Sequence, residues 1–589
     1  MILLVTGLFF LLLHIPGGWK NSGNLVRPLA WLPLGLTFPI IALGVLDTYY
    51  YTESGRHLSY EVLQVSRDEG DMGASLKMMV EYRWSILSLV LLAVVLFLLW
   101  RVVLRPLGER HGTVKWTVEA GWFLVYFVVL IFGLKGTVSG KPIRMVDAFS
   151  QGRTELGHLV LNPAFTVGRS LQAGNAGSFH FLDRVEALDN VHDLLDASGV
   201  LWEDAGYPLY RSRAVPDRYA KDRPNLVVLI MLESWSARYV GSLGYENGIT
   251  PRFDELASEG LLFNNFYAVG SRTIEGLGAV NMGIPSFNHH GDLIEGSVLS
   301  GSLEQNRFVG LGEILARQGY RTLFLHGESS GKDRIKSFAR MIGVEKHLGR
   351  EELGITREEA DSAWGAWDHA VLDCLYEVVR KERQPFFALW LSLTNHPPYD
   401  LPDDTFRTAG NGDTEGAFQD TIRYTDHHLG RFFERARLAG LMENTIFIVT
   451  ADHAARSNAS LSERYHIPLL IIAPGRVDPG VSGIVGTQLD IVPTVLDLLG
   501  ITSPHHAMGQ SLLRENRTGF AYLNFSQGYG WIEDGKVLTV DPEGEVLRFT
   551  DLDTGQPLTS DPGLMKKQLL SFIQVSWDQI LENRLAPKR

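Results

Sequence analysis

Two apolar stretches of the sequence end on side chains that can bind a metal ion. Val227–Glu233 ends on a carboxylate, and Thr445–His453 ends on Asp452 and His453. Functional groups in an open parallel sheet collect just past the carboxyl ends of its strands. Two carboxylates and an imidazole suit Mn²⁺, Mg²⁺ or Zn²⁺. Either stretch alone also fits a buried strand with a polar end, so the predicted metal site depends on finding both in one chain.

Thr273 is the candidate nucleophile. It lies in Gly270–Gly276, after an apolar run that ends at Tyr267 and before a helix-like stretch. A threonine hydroxyl beside a cation can form an alkoxide and attack phosphorus, and backbone amides at a helix start help to hold the anion. The alternative is that Thr273 is the N-cap of that helix, which is the commonest task of a threonine at such a position.

Two further histidines follow predicted strands. His396 comes after Phe386–Leu393, and His326 comes after Tyr320–Leu325. A histidine there can donate a proton to a leaving alkoxide, because its pKa lies near neutral pH. Arg334, downstream of His326, is a candidate phosphate ligand. Each histidine is also compatible with a loop side chain hydrogen-bonded to the backbone.

The elements that would position these residues alternate between strand and helix from Asn225 onward, which predicts an α/β domain. Beyond Gly519, short polar strands with tight turns predict a small antiparallel sheet, followed by a closing helix from about Pro562 to Glu582. The strand candidates are Leu226–Leu232, Leu261–Tyr267, Tyr320–Leu325, Phe386–Leu393, Thr445–Thr450 and Pro468–Ala473. The helix candidates between them are Asp254–Glu259, Phe308–Gln318, Trp367–Arg380, Gln419–Leu438 and Asp490–Leu499.

The first quarter of the chain is apolar and predicts several membrane-spanning helices. The candidate spans are Met1–Leu13, Pro28–Leu46, Trp84–Trp100 and Ala120–Leu134. The loop between the last two spans is rich in Arg and Lys, so the positive-inside rule places it in the cytoplasm and exports everything from about Gly140 onward. Four spans put the N-terminus outside, and an upstream helix before the given start is compatible with this pattern.

Composition limits the remaining function classes. The 589 residues allow several domains and a large core. The formal net charge of −13 and the lack of a basic stripe argue against a nucleic-acid partner. Cys374 is the single cysteine, so no internal disulfide can form. The predicted domains are transmembrane helices (1–140), a helical connector (141–224), a catalytic domain (225–515) and a C-terminal sheet and helix (516–589). Residues 211–224 have the polar, proline-containing composition of a linker.

The order of these motifs resembles the alkaline phosphatase superfamily. Glu233, Thr273, the Asn-His-Pro-Pro-Tyr segment around His396 and the Thr-Ala-Asp-His segment ending at His453 follow one another as in that superfamily. More closely, the chain resembles the lipoteichoic acid synthase and phosphoglycerol transferase branch of the sulfatase-like proteins. This resemblance implies an alkaline phosphatase/sulfatase-like α/β/α domain behind multi-pass transmembrane helices, in the bacterial plasma membrane with the catalytic domain extracytoplasmic.

The resemblance also implies roles for individual residues. Glu233, Thr273, Asp452 and His453 would hold one divalent metal, with Mn²⁺ favoured and Mg²⁺ or Zn²⁺ as alternatives. Thr273 would become phosphoglycerylated. The remaining positions implied to contact the substrate phosphate are His396, His326 and Arg334. An aromatic residue expected just before that arginine is replaced by Lys332-Asp333. The implied donor is phosphatidylglycerol from the lipid bilayer, and the implied acceptor is an envelope glycan or glycerol phosphate.

Other readings remain open on the sequence. A sulfatase-like phosphodiesterase or a phosphoethanolamine transferase would use the same metal site. The segment Gly327–Gly331 matches a serine hydrolase elbow, with Ser329 as nucleophile, Asp452 or Asp490 as acid and His506 as base. A membrane-anchored binding protein that keeps the fold without its chemistry is the non-enzymatic alternative.

Overall fold

The structure is a computed structural model, and it describes the chain in segments. They are residues 11, 31–58, 83–104, 115–135, 143, 145–151, 154–173, 179–195, 199–219, 224–244, 248–287, 305–328, 334–356, 360, 364–408, 414–457, 459–514, 517 and 519–587. The chain divides into two compact units. The first comprises Met1–Ala148, Glu155–Ala176 and Glu304–Asn306, and the second comprises Phe149–Thr154, Gly177–Leu303 and Arg307–Arg589.

The first unit is helical. Its helices are α1 (Leu32–Ser54), α2 (Arg83–Leu104), α3 (Trp116–Lys135), α4 (Thr154–Val160, whose first residue is assigned to the second unit) and α5 (Pro163–Ala173), and it contains the first part of a 3-10 helix at Met145–Gln151. Large apolar side chains along α2 and α3, such as Trp84 and Trp116, are exposed. Apolar surface of this extent on a helix marks a lipid or protein contact.

Among the described residues, one helix is long and apolar enough to cross a bilayer. It is α3, through Trp116–Gly133, whereas α2 contains the shorter apolar stretch Leu87–Leu99. The predicted spans Ala120–Leu134 and Trp84–Trp100 lie within these two helices, and most of Pro28–Leu46 lies in α1. Met1–Leu13, apart from Leu11, lies outside the described residues. A multi-pass arrangement therefore stays a prediction.

The second unit contains one large sheet together with smaller sheets and helices. Its strands are β1 (Val200–Trp202), β2 (Arg211–Arg213), β3 (Leu226–Leu232), β4 (Leu261–Phe263), β5 (Phe266–Tyr267), β6 (Arg321–His326), β7 (Lys346–Leu348), β8 (Phe386–Leu391), β9 (Thr445–Ala451), β10 (Leu469–Ile472), β11 (Gly480–Ser482), β12 (Gly486–Thr487), β13 (Phe520–Phe525), β14 (Gly528–Glu533), β15 (Lys536–Val540) and β16 (Val546–Asp551). Its helices are α6 (Arg184–Leu195), α7 (Pro251–Ala257), α8 (Thr273–Met282), α9 (Leu311–Arg317), α10 (Arg334–Met341), α11 (Asp368–Lys381), α12 (Thr414–Leu438), α13 (Leu461–Tyr465), α14 (Ile491–Leu499) and α15 (Gly563–Leu581).

The eight-stranded sheet has the order β11-β4-β10-β9-β3-β8-β6-β7. The strands β9, β3, β8, β6 and β7 run parallel, and β10 is antiparallel to both of its neighbours. Every residue of β3, β8 and β9 is buried, as expected for central strands with both faces covered. The predicted α/β domain is confirmed, with a mixed rather than purely parallel sheet.

The predicted C-terminal sheet is also confirmed. Strands β13 to β16 form an antiparallel meander, and α15 follows them. A two-residue turn joins β14 to β15, with positive φ at Asp534 and Gly535. This is the conformation that Asp-Gly favours in tight hairpins.

The linker predicted for residues 211–224 is wrong at its start. Arg211–Arg213 forms β2, which pairs with β1, and Arg211 is buried. The charged composition suggested solvent exposure, but main-chain pairing with β1 and with His505 orders this segment.

Candidate metal centre

Strand register brings the candidate ligands to one edge of the sheet. β3 lies between β8 and β9, with Met231 opposite Leu391 and Leu232 opposite Ala451. Glu233 directly follows Leu232, and Asp452 directly follows Ala451, so the two carboxylates lie side by side. Both are almost fully buried.

Glu233, Asp452 and His453 form a cluster that could hold a metal ion. One ligand atom from each lies within 4.8 Å of the others. His453 Nε2 is 3.5 Å from Glu233 Oε1 and 3.5 Å from Asp452 Oδ2. These separations leave room for a small cation between the three side chains.

Hydrogen bonds around the cluster fix the ligand atoms. Asp452 Oδ1 accepts from the backbone N–H of Ser234 at 2.9 Å and of His453 at 2.7 Å. Asp452 Oδ2 is buried and, among the described residues, has no hydrogen-bond partner. His453 Nδ1 lies 3.0 Å from the carbonyl oxygen of Ala454, which places the proton on Nδ1 and leaves Nε2 as the ligand atom.

Thr273 is the first residue of α8, and its hydroxyl donates to Glu233 Oε2 at 3.2 Å. The N-cap of the helix is Arg272, so the alternative of Thr273 as the cap is wrong. Glu275 supports the turn by accepting from the backbone of Ser271 and Arg272. The threonine side chain is thereby free to face the cluster.

Gly276 lets α8 approach the metal cluster. A Cβ on Gly276 would lie 1.9 Å from the carbonyl oxygen of Asp452. Any larger residue would therefore push the helix, and Thr273 with it, away from the strand end. The same carbonyl accepts a hydrogen bond from Gln488 at 2.7 Å.

His396 reaches the cluster from the loop after β8. Its Nε2 lies 3.4 Å from Glu233 Oε2. One face of the imidazole stacks on Trp364, with ring centroids 4.3 Å apart and planes inclined by 19°. The Trp364 ring N–H donates to the carbonyl of Pro397 at 2.6 Å, which holds the indole against this loop.

The electrostatics of the cluster favour a cation. Burial opposes the charged form of Glu233, but the hydrogen bond and charge of His396 outweigh it and hold the pKa of Glu233 well below its usual value. Burial, together with the charge of Glu233, raises the pKa of Asp452 to about 7. Burial opposes protonation of His453 and His396, yet the adjacent carboxylates raise both pKa values. Without a cation the cluster thus retains protons that metal binding would displace.

The structure describes the side chain of His326 but not that of Arg334. His326 is the last residue of β6 and is buried, with Nδ1 3.1 Å from the Leu391 carbonyl and Nε2 3.9 Å from Glu328. It therefore reaches the same sheet edge as His396. Arg334 begins α10, but its side chain lies outside the described residues, as do Ser329 and Lys332-Asp333.

The structure separates the acid and base proposed for a serine hydrolase. Asp490 forms a buried ion pair with Arg517 at 3.2 Å, and His506 Nε2 accepts from the backbone N–H of Val309. Asp452 belongs to the metal cluster. Neither carboxylate is bonded to His506, so the Ser-Asp-His order in the sequence is not a triad in space.

Three residues near the cluster were missed by the sequence analysis. Ser392 Oγ accepts from the backbone N–H of Glu233 at 2.7 Å, and Asn395 donates to the Glu233 carbonyl at 3.1 Å. Trp364 is the third. Asn395 could have been found from the sequence, because it directly precedes His396 in the Asn-His-Pro-Pro-Tyr segment. The contacts of Trp364 and Ser392 depend on the tertiary fold.

The sequence model of the sulfatase family matches residues 225–501, which include all the residues of this site. The chain carries a sulfatase-family domain. The chain is 28% identical over 305 residues to lipoteichoic acid synthase 1 of Bacillus subtilis (strain 168), covering 47% of this chain and 46% of the relative. It is 25% identical over 369 residues to phosphoglycerol transferase I of Salmonella arizonae, covering 58% of this chain and 47% of the relative.

A solved structure supports an alkaline phosphatase-like fold. The crystal structure of a protein in the alkaline phosphatase superfamily from Vibrio parahaemolyticus superimposes with a TM-score of 0.62 and 26% identity, covering 70% of this chain and 99% of that one. The predicted resemblance to lipoteichoic acid synthases and phosphoglycerol transferases is confirmed at the level of the family. The chain spans about half the length of the curated relatives it matches.

Proposed function

We propose that this protein is a membrane-anchored, metal-dependent phosphoglycerol transferase that acts on phosphatidylglycerol. The observation that carries the proposal is the Thr273 hydroxyl, which lies 3.2 Å from a carboxylate of a buried Glu-Asp-His cluster. A hydroxyl next to a cation site is the arrangement expected of a nucleophile that attacks phosphorus. The names of the two bacterial relatives, a lipoteichoic acid synthase and a phosphoglycerol transferase, support the same reaction class.

The residues present fit a divalent cation. Glu233, Asp452 and His453 would hold the cation together with the Thr273 oxygen. Asp452 Oδ2, which has no hydrogen-bond partner among the described residues, would be one of the ligand atoms. Oxygen ligands with one imidazole suit Mn²⁺ best, and Mg²⁺ or Zn²⁺ remain alternatives. When bound, the cation would lower the pKa of the Thr273 hydroxyl and stabilise negative charge on the phosphate.

In the first step, the Thr273 oxygen, having lost its proton to solvent, attacks the phosphorus of phosphatidylglycerol. A bond forms between Thr273 and phosphorus, and the bond from phosphorus to the diacylglycerol oxygen breaks. His396 would give a proton from Nε2 to the departing oxygen, so that diacylglycerol leaves as a neutral alcohol. His326 and Arg334 would hold the phosphate oxygens.

In the second step, the phosphoglycerol group passes from Thr273 to an acceptor hydroxyl. The acceptor would lose its proton to His396, and its oxygen would displace Thr273 from phosphorus. A hydroxyl of an envelope glycan or of glycerol phosphate would serve. Transfer to water would make the protein a phosphodiesterase, so the acceptor decides between these activities.

Membrane anchoring would bring the site to its donor. The exposed apolar helices α2 and α3 would lie in the bacterial plasma membrane, with the catalytic domain on the extracytoplasmic side. Phosphatidylglycerol in the outer leaflet would then be available at high local concentration.

Head-group tracing tests the proposal. The full chain would be reconstituted in liposomes containing phosphatidylglycerol labelled in its glycerol head group, with Mn²⁺ and a glycan acceptor. We expect equal amounts of diacylglycerol and labelled acceptor. Phosphatidylethanolamine in place of phosphatidylglycerol is the matched control, and transfer from it alone would contradict the proposed donor.

A further inference from the structure

Two polar side chains lie in the loops on either side of Glu233, at the rim of the metal cluster. The order of the sheet places β3 between β8 and β9. Tyr399 lies in the loop after β8, three residues beyond His396, and Arg456 lies in the loop after β9, three residues beyond His453. The charges of Glu233 and Arg456 both act on the pKa of the Tyr399 phenol, so the phenol lies near both. The two loops therefore bring a hydroxyl and a guanidinium to the same rim.

Arg456 is a cation without a counterion among the described residues. Its side chain is exposed and forms no ion pair or hydrogen bond there. Glu415, the other carboxylate that acts on the Tyr399 phenol, is already engaged. It pairs with Arg238 at 3.0 Å and accepts from the Tyr239 hydroxyl at 2.6 Å. The positive charge of Arg456 is thus available to a ligand.

Backbone contacts hold both loops beside the cluster. The N–H of Ala455 donates to the Oγ of Ser236, which is buried, at 2.8 Å. The N–H of Tyr399 donates to the carbonyl of His396 at 2.9 Å, and the Tyr399 ring packs edge-on against Phe418 with centroids 5.4 Å apart. Its φ is +65°, a conformation that is uncommon for tyrosine and concentrated at functional sites.

The Tyr399 hydroxyl is a free donor. The side chain is half-buried, and the hydroxyl has no hydrogen-bond partner among the described residues. Burial, together with the charge of Glu233, raises the pKa of the phenol, so it keeps its proton at neutral pH. A neutral hydroxyl and a charged guanidinium at one rim are both donors, and they suit a ligand that presents acceptor oxygens.

His396 marks the side of the site that the acceptor must occupy. In the proposed mechanism, the imidazole that protonates the departing diacylglycerol oxygen also takes the proton of the accepting hydroxyl. The departing lipid and the acceptor therefore occupy the same position in turn, beside the turn that joins His396 to Tyr399. Phosphatidylglycerol carries one phosphate, which is the group that reacts, and the departing diacylglycerol is uncharged. The guanidinium of Arg456 has no partner in that lipid and matches an anionic acceptor.

We propose that Tyr399 and Arg456 form an acceptor subsite that binds an anionic group carried by the acceptor near its accepting hydroxyl. This inference rests on the proposed transferase function and deepens it, because it selects acidic acceptors over neutral glycans. Phosphate and carboxylate groups share the required chemistry, since both present acceptor oxygens to a guanidinium. The bonds made and broken are those of the second step, and the subsite contributes affinity and selectivity for the acceptor.

Competition between matched acceptors tests the subsite. The full chain would be reconstituted with Mn²⁺ in liposomes of phosphatidylglycerol labelled in its head group, with chloride keeping the ionic strength constant. The acceptor pairs are sn-glycerol 1-phosphate against glycerol, and glucuronic acid against glucose. We expect kcat/KM to be about tenfold higher for the acidic member of a pair, as one charge-assisted hydrogen bond would give. Preference within the first pair alone identifies phosphate as the ligand group, within the second alone carboxylate, and within both any anion.

Three variants assign the preference to its residues. Arg456→Gln should lower the ratio of kcat/KM for acidic over neutral acceptor by about tenfold, and Arg456→Lys should restore part of it. Tyr399→Phe keeps the ring and should lower the ratio by about fivefold, as loss of one neutral hydrogen bond would. Arg464→Gln is the control, because it removes an exposed arginine of α13, in the same β9–β10 connection, whose charge acts on Tyr465. It should leave the ratio unchanged.

The outcomes separate the subsite from the reaction itself. Equal use of acidic and neutral acceptors by the parent protein, or an unchanged ratio in Arg456→Gln, would overturn the subsite while leaving the transferase intact. An equal loss with both members of each pair would place Arg456 at the donor or at the membrane surface and would also overturn it. No release of diacylglycerol with any acceptor would overturn the proposed function, and the subsite with it.

Discussion

The Thr273 hydroxyl donates a hydrogen bond to Glu233 Oε2 across 3.2 Å, although the two residues are 40 positions apart. One lies at the start of α8 and the other just past the end of β3. Their contact depends on the close approach of α8 to Asp452, which Gly276 permits. The proposed nucleophile and the proposed ligands are therefore coupled through backbone packing as well as through their side chains.

A methyl group at Gly276 should separate Thr273 from the cluster. Gly276→Ala places a Cβ 1.9 Å from the Asp452 carbonyl oxygen, so α8 must shift. We expect a loss of about 1–3 kcal/mol in the free energy of unfolding and a large loss of transfer activity. Denaturant unfolding and diacylglycerol release would measure both.

Gly278→Ala is the matched control in the same helix. Its Cβ would meet no atom nearer than Met282 Cε at 3.8 Å. Helix propensity then favours alanine, and stability should stay the same or rise by up to about 1 kcal/mol. Equal effects of the two substitutions would show that the approach of α8 to Asp452 is unimportant.

Cation binding should strengthen as the pH rises toward neutrality. Without a cation, the raised pKa of Asp452, about 7, means that the folded protein keeps a proton that the unfolded chain loses near pH ~4. The folded state binds more protons across this window, so its stability falls as the pH rises. A divalent cation displaces this proton and that of His453, whose pKa is also raised, and its affinity should increase by about tenfold per pH unit for each proton displaced.

Calorimetric titration of Mn²⁺ between about pH 5 and about pH 7 would measure this dependence. Asp452→Asn cannot ionise, so it should bind Mn²⁺ weakly and with a flatter pH dependence. A pH-independent Mn²⁺ affinity of the wild type would contradict the account in which the cation displaces protons from the cluster.

Trp364 should hold His396 in position for proton transfer. The stacked indole restricts the imidazole whose Nε2 faces Glu233. Trp364→Ala should lower kcat by about tenfold, less than loss of the histidine itself, which costs about 10²–10⁴. Trp364→Phe preserves a stacking face and should recover most of the activity.

Separate measurement of kcat and KM distinguishes a positioning role of Trp364 from a role in substrate binding. If Trp364 acts through His396, kcat falls in Trp364→Ala and the basic limb of its pH profile moves, whereas KM changes little. A rise in KM with unchanged kcat would instead make the indole part of the head-group pocket. In that case, Trp364 would supply an aromatic surface in place of the aromatic residue that the family resemblance implies just before Arg334, where the sequence has Lys332-Asp333.

Much of the metal cluster could be predicted because its residues immediately follow long apolar strands. The bounds of β3 were predicted correctly, and β9 runs one residue beyond its prediction, because buried parallel strands are continuous apolar runs. The single strand predicted over Leu261–Tyr267 is two strands, since β4 pairs with β10 while β5 pairs with β12. The pattern of apolar residues along the sequence does not show that the two halves of this segment pair with different strands.

Other features depend on contacts between distant segments. Trp364 meets His396 because loops after different elements converge at the sheet edge, and Arg211 is buried because β2 pairs with β1 and with His505. The local sequence of Arg211 is polar and charged, which predicted a linker. The domain boundaries and the roles of the site residues stay predictions.

Covalent trapping at Thr273 tests the account most directly. The full chain with Mn²⁺ and phosphatidylglycerol, but no acceptor, would be quenched early and its peptides analysed by mass spectrometry. We expect one phosphoglycerol group on Thr273, no adduct in Thr273→Ala, and turnover in that variant lowered by about a thousandfold or more, with Thr273→Ser retaining part of it. Wild-type release of diacylglycerol by Thr273→Ala, or an adduct on another residue, would contradict the central claim that this hydroxyl is the nucleophile.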